Sequence, residues 1–300
     1  MTLLLIDSAS LWYRAYYGMP DTLVSPDGEP INAVKGFIDM TARLVSHYRP
    51  ERMALCLDGD WRPSWRVELY PEYKANRIDE DGEEEAEPDL LTPQIPIIMD
   101  FFEATGITLI GADDYEADDV IATLSQKENG PTRIVTGDRD LFQLVDDKRK
   151  VAVAYLAKGI SNHDLVDRAW IAKKYEIPGE RYALFAMIRG DASDGLPGIK
   201  GIGEKGAAAI AQKFETMNDV IKAAHSEHED LHPTHRKKIL ADLDYATIAE
   251  RLVTCATDVR LPELDLKIPK EPRNRKYLEN MKKDYGLGTS VDRLFSSFQW

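Results

Sequence analysis

Three short apolar runs in the chain each end abruptly at a polar or glycine-containing loop. They lie at residues 3–6, 53–57 and 133–136, and helical patterns lie between them at 34–48, 93–105 and 116–126. Short buried strands that alternate with helices are typical of an α/β fold, in which helices cover both faces of a parallel sheet. The sequence therefore predicts this fold class.

Two segments depart from this alternation. Residues 61–113 hold a basic and aromatic stretch, an acidic run and a helix punctuated by proline, so we predict an insertion that stands off the sheet. From Arg189 onward a glycine-rich turn is followed by helical patterns. We therefore expect a core over residues 1–188 and a helical part over 189–300.

The net charge of −14 at first disfavours a nucleic-acid partner. The acids are unevenly distributed, however, because eight of them fall between Asp79 and Asp89. Bound divalent cations would also return positive charge where a phosphate approaches. Two cysteines and an apolar opening too short for a membrane span predict a cytoplasmic protein with no membrane partner. Net charge alone does not exclude DNA.

Acidic residues follow each predicted strand. Asp7 ends the first, Asp58 the second, and Asp138 and Asp140 come directly after the third. Ligands of open α/β sheets bind outside the carboxyl ends of the strands, so these acids are expected to face one crevice. Further acids open a helix or flank a tight turn, namely Glu116, Asp118, Asp119, Asp191 and Asp194.

Any one of these acids has a simpler explanation. An aspartate after a strand is most often a turn or helix cap, and Asp118 with Asp119 could complement a helix dipole. Nine carboxylates gathered together, however, would repel one another without cations. Oxygen ligands in such number favour two or three Mg²⁺ or Mn²⁺ ions over zinc. Paired ions of this kind serve phosphodiester hydrolysis.

A glycine-rich segment at 196–207 precedes a helical pattern at 207–214. Gly201 and Gly203 would leave backbone N–H groups bare at the start of that helix, with Lys200 and Lys205 beside them. This pattern is typical of a helix-hairpin-helix element, which grips the DNA backbone without reading bases. Ordinary helix capping is the alternative, whereas a Walker-type loop would need a Gly-Lys-Ser/Thr ending that is absent here.

Basic and aromatic residues are interleaved in two places. The stretch 61–77 contributes Arg62, Arg66, Tyr73, Lys74 and Arg77, and a second group after the first strand contributes Tyr13, Arg14 and Tyr17. Cations that meet phosphates and rings that stack on bases are what a channel for single-stranded DNA requires. For some of these rings, packing in the core is the alternative.

Six motifs occur in a fixed order along nearly the whole chain. They read Leu-Ile-Asp at 5–7, Leu-Asp-Gly at 57–59, Tyr-Lys-Ala-Asn-Arg at 73–77, Tyr-Glu-Ala-Asp-Asp-Val at 115–120, Thr-Gly-Asp-Arg-Asp-Leu at 136–141 and Gly-Asp-Ala-Ser-Asp-Gly-Leu-Pro-Gly at 190–198. The chain thus resembles the 5′-nuclease domain of bacterial DNA polymerase I and its stand-alone flap endonuclease and 5′-3′ exonuclease relatives. No sequence remains for a polymerase, so the stand-alone form is expected.

The resemblance implies a PIN-like (Rossmann-like) nuclease core over 1–188, a helical arch or clamp at about 61–113, and a helix-hairpin-helix subdomain over 189–300. It also implies a monomer that cuts DNA at 5′ ends or 5′ flaps in Okazaki-fragment processing and repair, near the nucleoid and with replication or repair partners. A PIN-type ribonuclease and a DNA-binding homologue without catalysis are the alternatives.

The resemblance also implies a role for each acid. Asp7, Asp58, Glu116 and Asp118 would hold a first metal ion, and Asp138, Asp140 and Asp194 a second. Asp119 and Asp191 would lie nearby or serve a third ion. Lys74 and Arg77 would steer the scissile phosphate, and carbonyls at 200–202 would hold K⁺. The chain departs from the family at Gly195, where Asn is usual, and Gly permits that turn without locking it.

Overall fold

Six strands form one sheet in the computed structural model, which describes residues 2–79 and 88–300. The order is β3-β2-β1-β4-β5-β6. The bounds are Leu3–Asp7 for β1, Arg52–Cys56 for β2, Thr108–Ile110 for β3, Thr132–Thr136 for β4, Val151–Tyr155 for β5 and Asp164–Val166 for β6. All neighbouring strands are parallel except β5 and β6, which are antiparallel. The predicted α/β class is confirmed.

The described ranges contain thirteen α-helices. They are α1 Ser8–Gly18, α2 Asn32–Tyr48, α3 Ser64–Leu69, α4 Gln94–Thr105, α5 Ala117–Lys127, α6 Arg168–Tyr175, α7 Tyr182–Arg189, α8 Glu204–Ala211, α9 Met217–His225, α10 Pro233–Ala241, α11 Leu243–Val253, α12 Arg275–Asp284 and α13 Thr289–Phe298. In that part of the chain no helix is long and apolar enough to cross a membrane.

The alternation of side chains along β1 divides the core into two. Leu4 and Ile6 point to one face of the sheet and pack with α1, α2, α4, α12 and α13. Leu3 and Leu5 point to the other face, where α5 packs against β1 and the core cluster continues into α7 to α11. Buried residues on both faces explain why β1 is a continuous apolar run.

The predicted insertion at 61–113 is too wide. β3 pairs with β2 inside the sheet, and α4 packs against α2. Phe101 and Phe102 of α4 are fully buried, and Phe102 meets the ring of Phe37 edge to face at 5.3 Å. The part that stands outside the sheet layers therefore ends before α4. Most of the acidic run, residues 80–87, lies outside the described residues.

The last two helices also differ from expectation. We expected a single helical part over 189–300, but α13 packs against α2 and α12 packs against α4. Leu278 and Leu294 are fully buried in the same core cluster as Leu4. The chain therefore returns to the first part of the protein after α11. On the way its 261–272 segment runs beside β2, where Met53 donates its amide to the Leu266 carbonyl at 2.8 Å.

Candidate active site

A cleft of about 750 Å³ opens at the carboxyl ends of β1, β2 and β4. Asp7 is the last residue of β1, while Asp58 and Asp138 follow shortly after β2 and β4. Because neighbouring parallel strands end at one edge of the sheet, these acids come together although they are far apart in sequence. Seven of the nine predicted acids line the cleft: Asp7, Asp58, Glu116, Asp118, Asp138, Asp140 and Asp194.

The carboxylate of Asp7 accepts one hydrogen bond from helix α1 and one from the end of strand β4. It caps α1 by accepting the amide of Ser10 at 3.2 Å, and the Thr136 hydroxyl donates to its carboxylate at 2.7 Å. Burial, and to a smaller extent the charges of Asp58 and Asp138, raise the pKa of Asp7 to about 7. Thr136, which sequence reasoning missed as a site residue, also accepts the Asp138 amide at 2.8 Å.

Two further carboxyls of the cleft also have raised pKa values. Burial, together with the negative charges of Asp7 and Asp138, raises the pKa of Asp118 well above its usual range. Burial and the charge of Asp138 do the same for the pKa of Asp140. Carboxylates that repel one another across one cavity favour a bound cation. Their oxygen atoms suit Mg²⁺ or Mn²⁺.

Three cationic side chains already contact acids of the cleft, and one of them is Arg66, which contacts Glu116. The Lys74 ammonium contacts the carboxylate of Glu116 and donates to the Trp61 carbonyl at 3.1 Å, whereas Arg77 contacts Asp194. Burial would raise the pKa of Glu116, but the charges of Lys74 and Arg66 hold it below its usual value. In the described residues, no three His, Cys, Asp or Glu side chains are already arranged as a metal site.

The two remaining acids lie outside the cleft lining. Asp119 is fully buried and accepts hydrogen bonds from Arg66 and from the amide of Ala256, the latter at 2.7 Å. Asp191 caps a tight turn by accepting the amide of Ser193 at 2.9 Å. Their positions support structural contacts and give no support to the role at a third ion that the resemblance implies.

The predicted DNA-binding residues of α1 line the cleft. Tyr17 is 73% exposed there, and Tyr13 and Arg14 lie deeper. Within the described part of the chain, nothing accepts a hydrogen bond from the buried Nε of Arg14. A guanidinium N–H without a partner beside a cleft is suited to a phosphate oxygen.

The basic and aromatic residues at 61–77 mostly hold the protein together. Arg62 donates to the carbonyls of Pro71 and Tyr73, both at 2.6 Å. The Tyr73 hydroxyl donates to Glu116 at 2.8 Å, and Arg66 is 3% exposed. These side chains shape the cleft wall, and within this group Arg66, Lys74 and Arg77 present charge to its acids.

The predicted hairpin lies elsewhere on the surface. Lys200, Gly201, Gly203 and Lys205 are exposed and do not line the cleft. The α8 helix begins at Glu204, earlier than the predicted helix at 207–214. Its first turn therefore includes Lys205 and leaves Gly203 as the cap, which is the arrangement expected for phosphate binding at a helix N-terminus.

Two family models together match most of the chain. The model of the 5′-3′ exonuclease N-terminal resolvase-like domain matches residues 2–176, and that of the 5′-3′ exonuclease C-terminal SAM fold matches 177–275. The chain belongs to the 5′-3′ exonuclease family. The expected enzyme class is confirmed at this level, and the models divide the chain at 176/177 instead of the expected 188/189.

Full-length relatives support the same assignment. A 5′-3′ exonuclease of Streptomyces coelicolor is 46% identical and covers 98% of this chain and 99% of its own length. A 5′-3′ exonuclease of Mycobacterium tuberculosis is 41% identical, and the match covers 97% of this chain and 96% of that protein. DNA polymerase I of Mycobacterium bovis is 34% identical over 99% of this chain, but the match spans only 32% of the polymerase. The expected resemblance is thereby confirmed.

Solved structures support the fold of this exonuclease. T5 5′-exonuclease with divalent metal ions (zinc) bound superposes with a TM-score of 0.66 at 18% identity, covering 100% of this chain and 97% of that one. The catalytic core of Rad2 in complex with DNA substrate superposes with a TM-score of 0.61 at 17% identity, covering 98% of this chain and 92% of that one. At such low identity the likeness concerns the fold alone.

Proposed function

We propose that this exonuclease is a structure-specific 5′-flap endonuclease and 5′-3′ exonuclease that hydrolyses phosphodiesters of DNA with two divalent metal ions. The observation that carries the proposal is the meeting of seven acids in one cleft beside Lys74 and Arg77. Membership of the family supports the 5′ polarity.

The acids of the cleft fit such ions. Burial, together with the charges of neighbouring carboxylates, raises the pKa values of Asp7, Asp118 and Asp140, and the charges of Lys74 on Asp118 and of Arg189 on Asp140 offset only part of this effect. We propose that one ion is held by Asp7, Asp58, Glu116 and Asp118, and the other by Asp138, Asp140 and Asp194. When bound, Mg²⁺ or Mn²⁺ ions supply a hydroxide at neutral pH and stabilise the leaving oxygen.

The chain's own cations position the phosphate. Lys74 and Arg77 reach the acids from the wall of the cleft, so they stand where a scissile phosphate would enter. A phosphate that takes these cations as partners would release Asp194 from Arg77 and the Oε1 atom of Glu116 from Lys74, while Arg66 and Tyr73 keep their bonds to the other oxygen of Glu116. Arg14 offers a further N–H donor, and the exposed ring of Tyr17 offers a stacking surface for a terminal base.

The hairpin at Lys200–Lys205 would grip the duplex away from the cut. It offers free amides at the start of α8 and two exposed lysines. We propose action on DNA with 5′ ends or flaps in Okazaki-fragment processing and repair, as a monomer near the nucleoid with replication or repair partners. Potassium at the hairpin remains a prediction of the resemblance alone.

Cleavage of a 5′-labelled DNA flap in Mg²⁺ tests the proposal. The wild type should release short products, Asp138→Ala should lose them, and Asp284→Ala, which changes an exposed acid of α12, should retain them. Activity that survives Asp138→Ala would exclude the two-ion assignment. Equal cleavage of an all-RNA flap would favour a ribonuclease, and failure to bind Mn²⁺ in calorimetry would indicate a homologue without catalysis.

A further inference from the structure

The hairpin turn has a fixed backbone shape in the protein without DNA. The Ile202 amide donates to the Ile199 carbonyl at 2.9 Å, and Gly201 adopts a φ of +80°. Gly203 then leads into α8 with open space on its Cβ side. No side chain of the described residues caps α8, so the amides of its first turn stay available.

Two side chains, one in α10 and one directly after it, form hydrogen bonds with the backbone of this turn. The Lys238 ammonium donates to the Gly201 carbonyl at 2.6 Å, and its stem lies over the same glycine. Asp242, which ends α10, accepts the amide of Lys200 at 2.8 Å. A positive charge thus sits on a carbonyl of the turn and a negative charge on an amide, and both bonds are charge-assisted.

The potassium ion that the resemblance implies would need the carbonyls at 200–202. One of them, that of Gly201, already has a full positive charge as its partner. A second cation on the same oxygen would lie within a few ångströms of the Lys238 ammonium, and the two like charges would repel each other. The residues present therefore do not fit a potassium ion at Gly201.

We infer that the Lys238 ammonium takes the place of a monovalent cation in the hairpin, so that DNA binding by this exonuclease does not depend on K⁺. Lys238 acts through the turn, which makes it a positioning residue. The inference rests on the proposed function, because it assumes that the hairpin grips DNA. A tethered charge needs no ion from solution, so the hairpin keeps its shape in any salt.

Binding of a labelled flap duplex, followed by fluorescence anisotropy in EDTA, tests this inference. KCl, NaCl and choline chloride are compared at matched ionic strength, because phosphate contacts alone make binding salt-dependent. Wild type should bind equally in all three. Lys238→Met should weaken binding about tenfold in NaCl and choline chloride and recover in KCl, as a charge-assisted hydrogen bond is lost and a cation replaces it.

Lys237→Met is the matched control, since Lys237 is the exposed neighbour on the same helix. It removes the same charge and should show no preference between K⁺ and Na⁺. Wild-type binding that is several-fold tighter in KCl would overturn the inference. An equal loss in every salt for Lys238→Met would also overturn it, because that result indicates a direct phosphate contact.

A second measurement needs no DNA. The thermal unfolding midpoint of Lys238→Met should be higher in KCl than in NaCl, whereas that of the wild type should be the same in both. Identical midpoints for the variant would count against the inference. If no variant binds DNA in any salt, the proposed function fails, while this comparison still decides the role of Lys238.

Discussion

The guanidinium of Arg66 grips the carboxylate of Asp119 through two parallel hydrogen bonds, each 2.8 Å long. Both side chains are buried, and the same carboxylate accepts the amide of Ala256 at 2.7 Å. The pair therefore ties α3 to the start of α5 and to the chain after α11. Asp119 has its charge balanced by protein, unlike Asp118 beside it, whose pKa is raised by burial and by Asp7.

We expect Asp119→Asn and Asp118→Asn to have opposite effects. Removing one charge of a buried pair costs about 3 kcal/mol, so Asp119→Asn should lower the free energy of unfolding in EDTA while the folded protein still binds Mn²⁺. Asp118→Asn should leave that free energy unchanged or higher and weaken Mn²⁺ binding. Urea unfolding and calorimetry measure the two quantities. If folded Asp119→Asn no longer binds Mn²⁺, Asp119 is a metal ligand and this account is wrong.

The stability of the metal-free protein should fall as pH rises. The pKa of Asp7 is about 7 in the folded protein against 3.8 for the free group, so the folded state holds a proton that the unfolded state has released. Stability from this group is complete below pH 3.8 and is lost by about pH 7. Unfolding in EDTA across this window should show the fall, and Asp7→Asn should flatten it. A curve that rises with pH for the wild type and is unchanged in Asp7→Asn would contradict this account.

Sequence patterns predicted β1, β2 and β4 because each is a buried run that ends at an acid. They missed β5, a five-residue apolar strand, and β3, which has only three residues. They also missed β6, which pairs antiparallel with β5. The packing of α12 and α13 on the first part of the chain depends on contacts between distant residues. Local periodicity cannot show which surface such helices cover.

Part of the candidate site could be predicted from the sequence, because the carboxyl ends of neighbouring parallel strands lie at one edge of the sheet. That rule brings Asp7, Asp58 and Asp138 together from their positions in the sequence alone. That rule cannot show which of Asp118 and Asp119 faces the cleft. The two acids are adjacent on one helix and differ in their contacts, and the partner of Asp119 is Arg66, which is distant in sequence. Composition likewise cannot show that a basic side chain binds the protein's own carboxylates instead of DNA.

Lys74→Met should reduce the cleavage rate more than DNA affinity. Its ammonium lies at the acids where the phosphate reacts, and loss of such a donor typically costs roughly 100-fold in rate. Glu116 would keep Arg66 and Tyr73 as partners, so the fold should persist. Single-turnover cleavage at saturating enzyme measures the rate, with Lys127→Met, an exposed change on α5, as the control. An equal loss of affinity and rate would indicate general electrostatic attraction instead.

Gly195 lets the turn of Asp194 pack directly on the segment that carries Lys74. A Cβ at Gly195 would lie 2.5 Å from the Glu72 carbonyl oxygen, and the φ of +69° further disfavours other residues. The adjacent Lys74 amide donates to the Asp194 carbonyl at 2.9 Å, so any separation moves both residues. Asn, although usual in the resembling family and tolerant of positive φ, would carry the same Cβ.

We therefore expect Gly195→Ala and Gly195→Asn to lower the free energy of unfolding by about 1–3 kcal/mol and cleavage by roughly tenfold. Gly28→Ala is the matched control, because Gly28 has a φ of +93° but open space around its Cβ. Gly28→Ala should lower the free energy of unfolding by about 1 kcal/mol, because alanine disfavours a positive φ, and it should leave cleavage unchanged. If Gly195→Asn proves as active and as stable as the wild type, the close approach to Glu72 does not position Lys74.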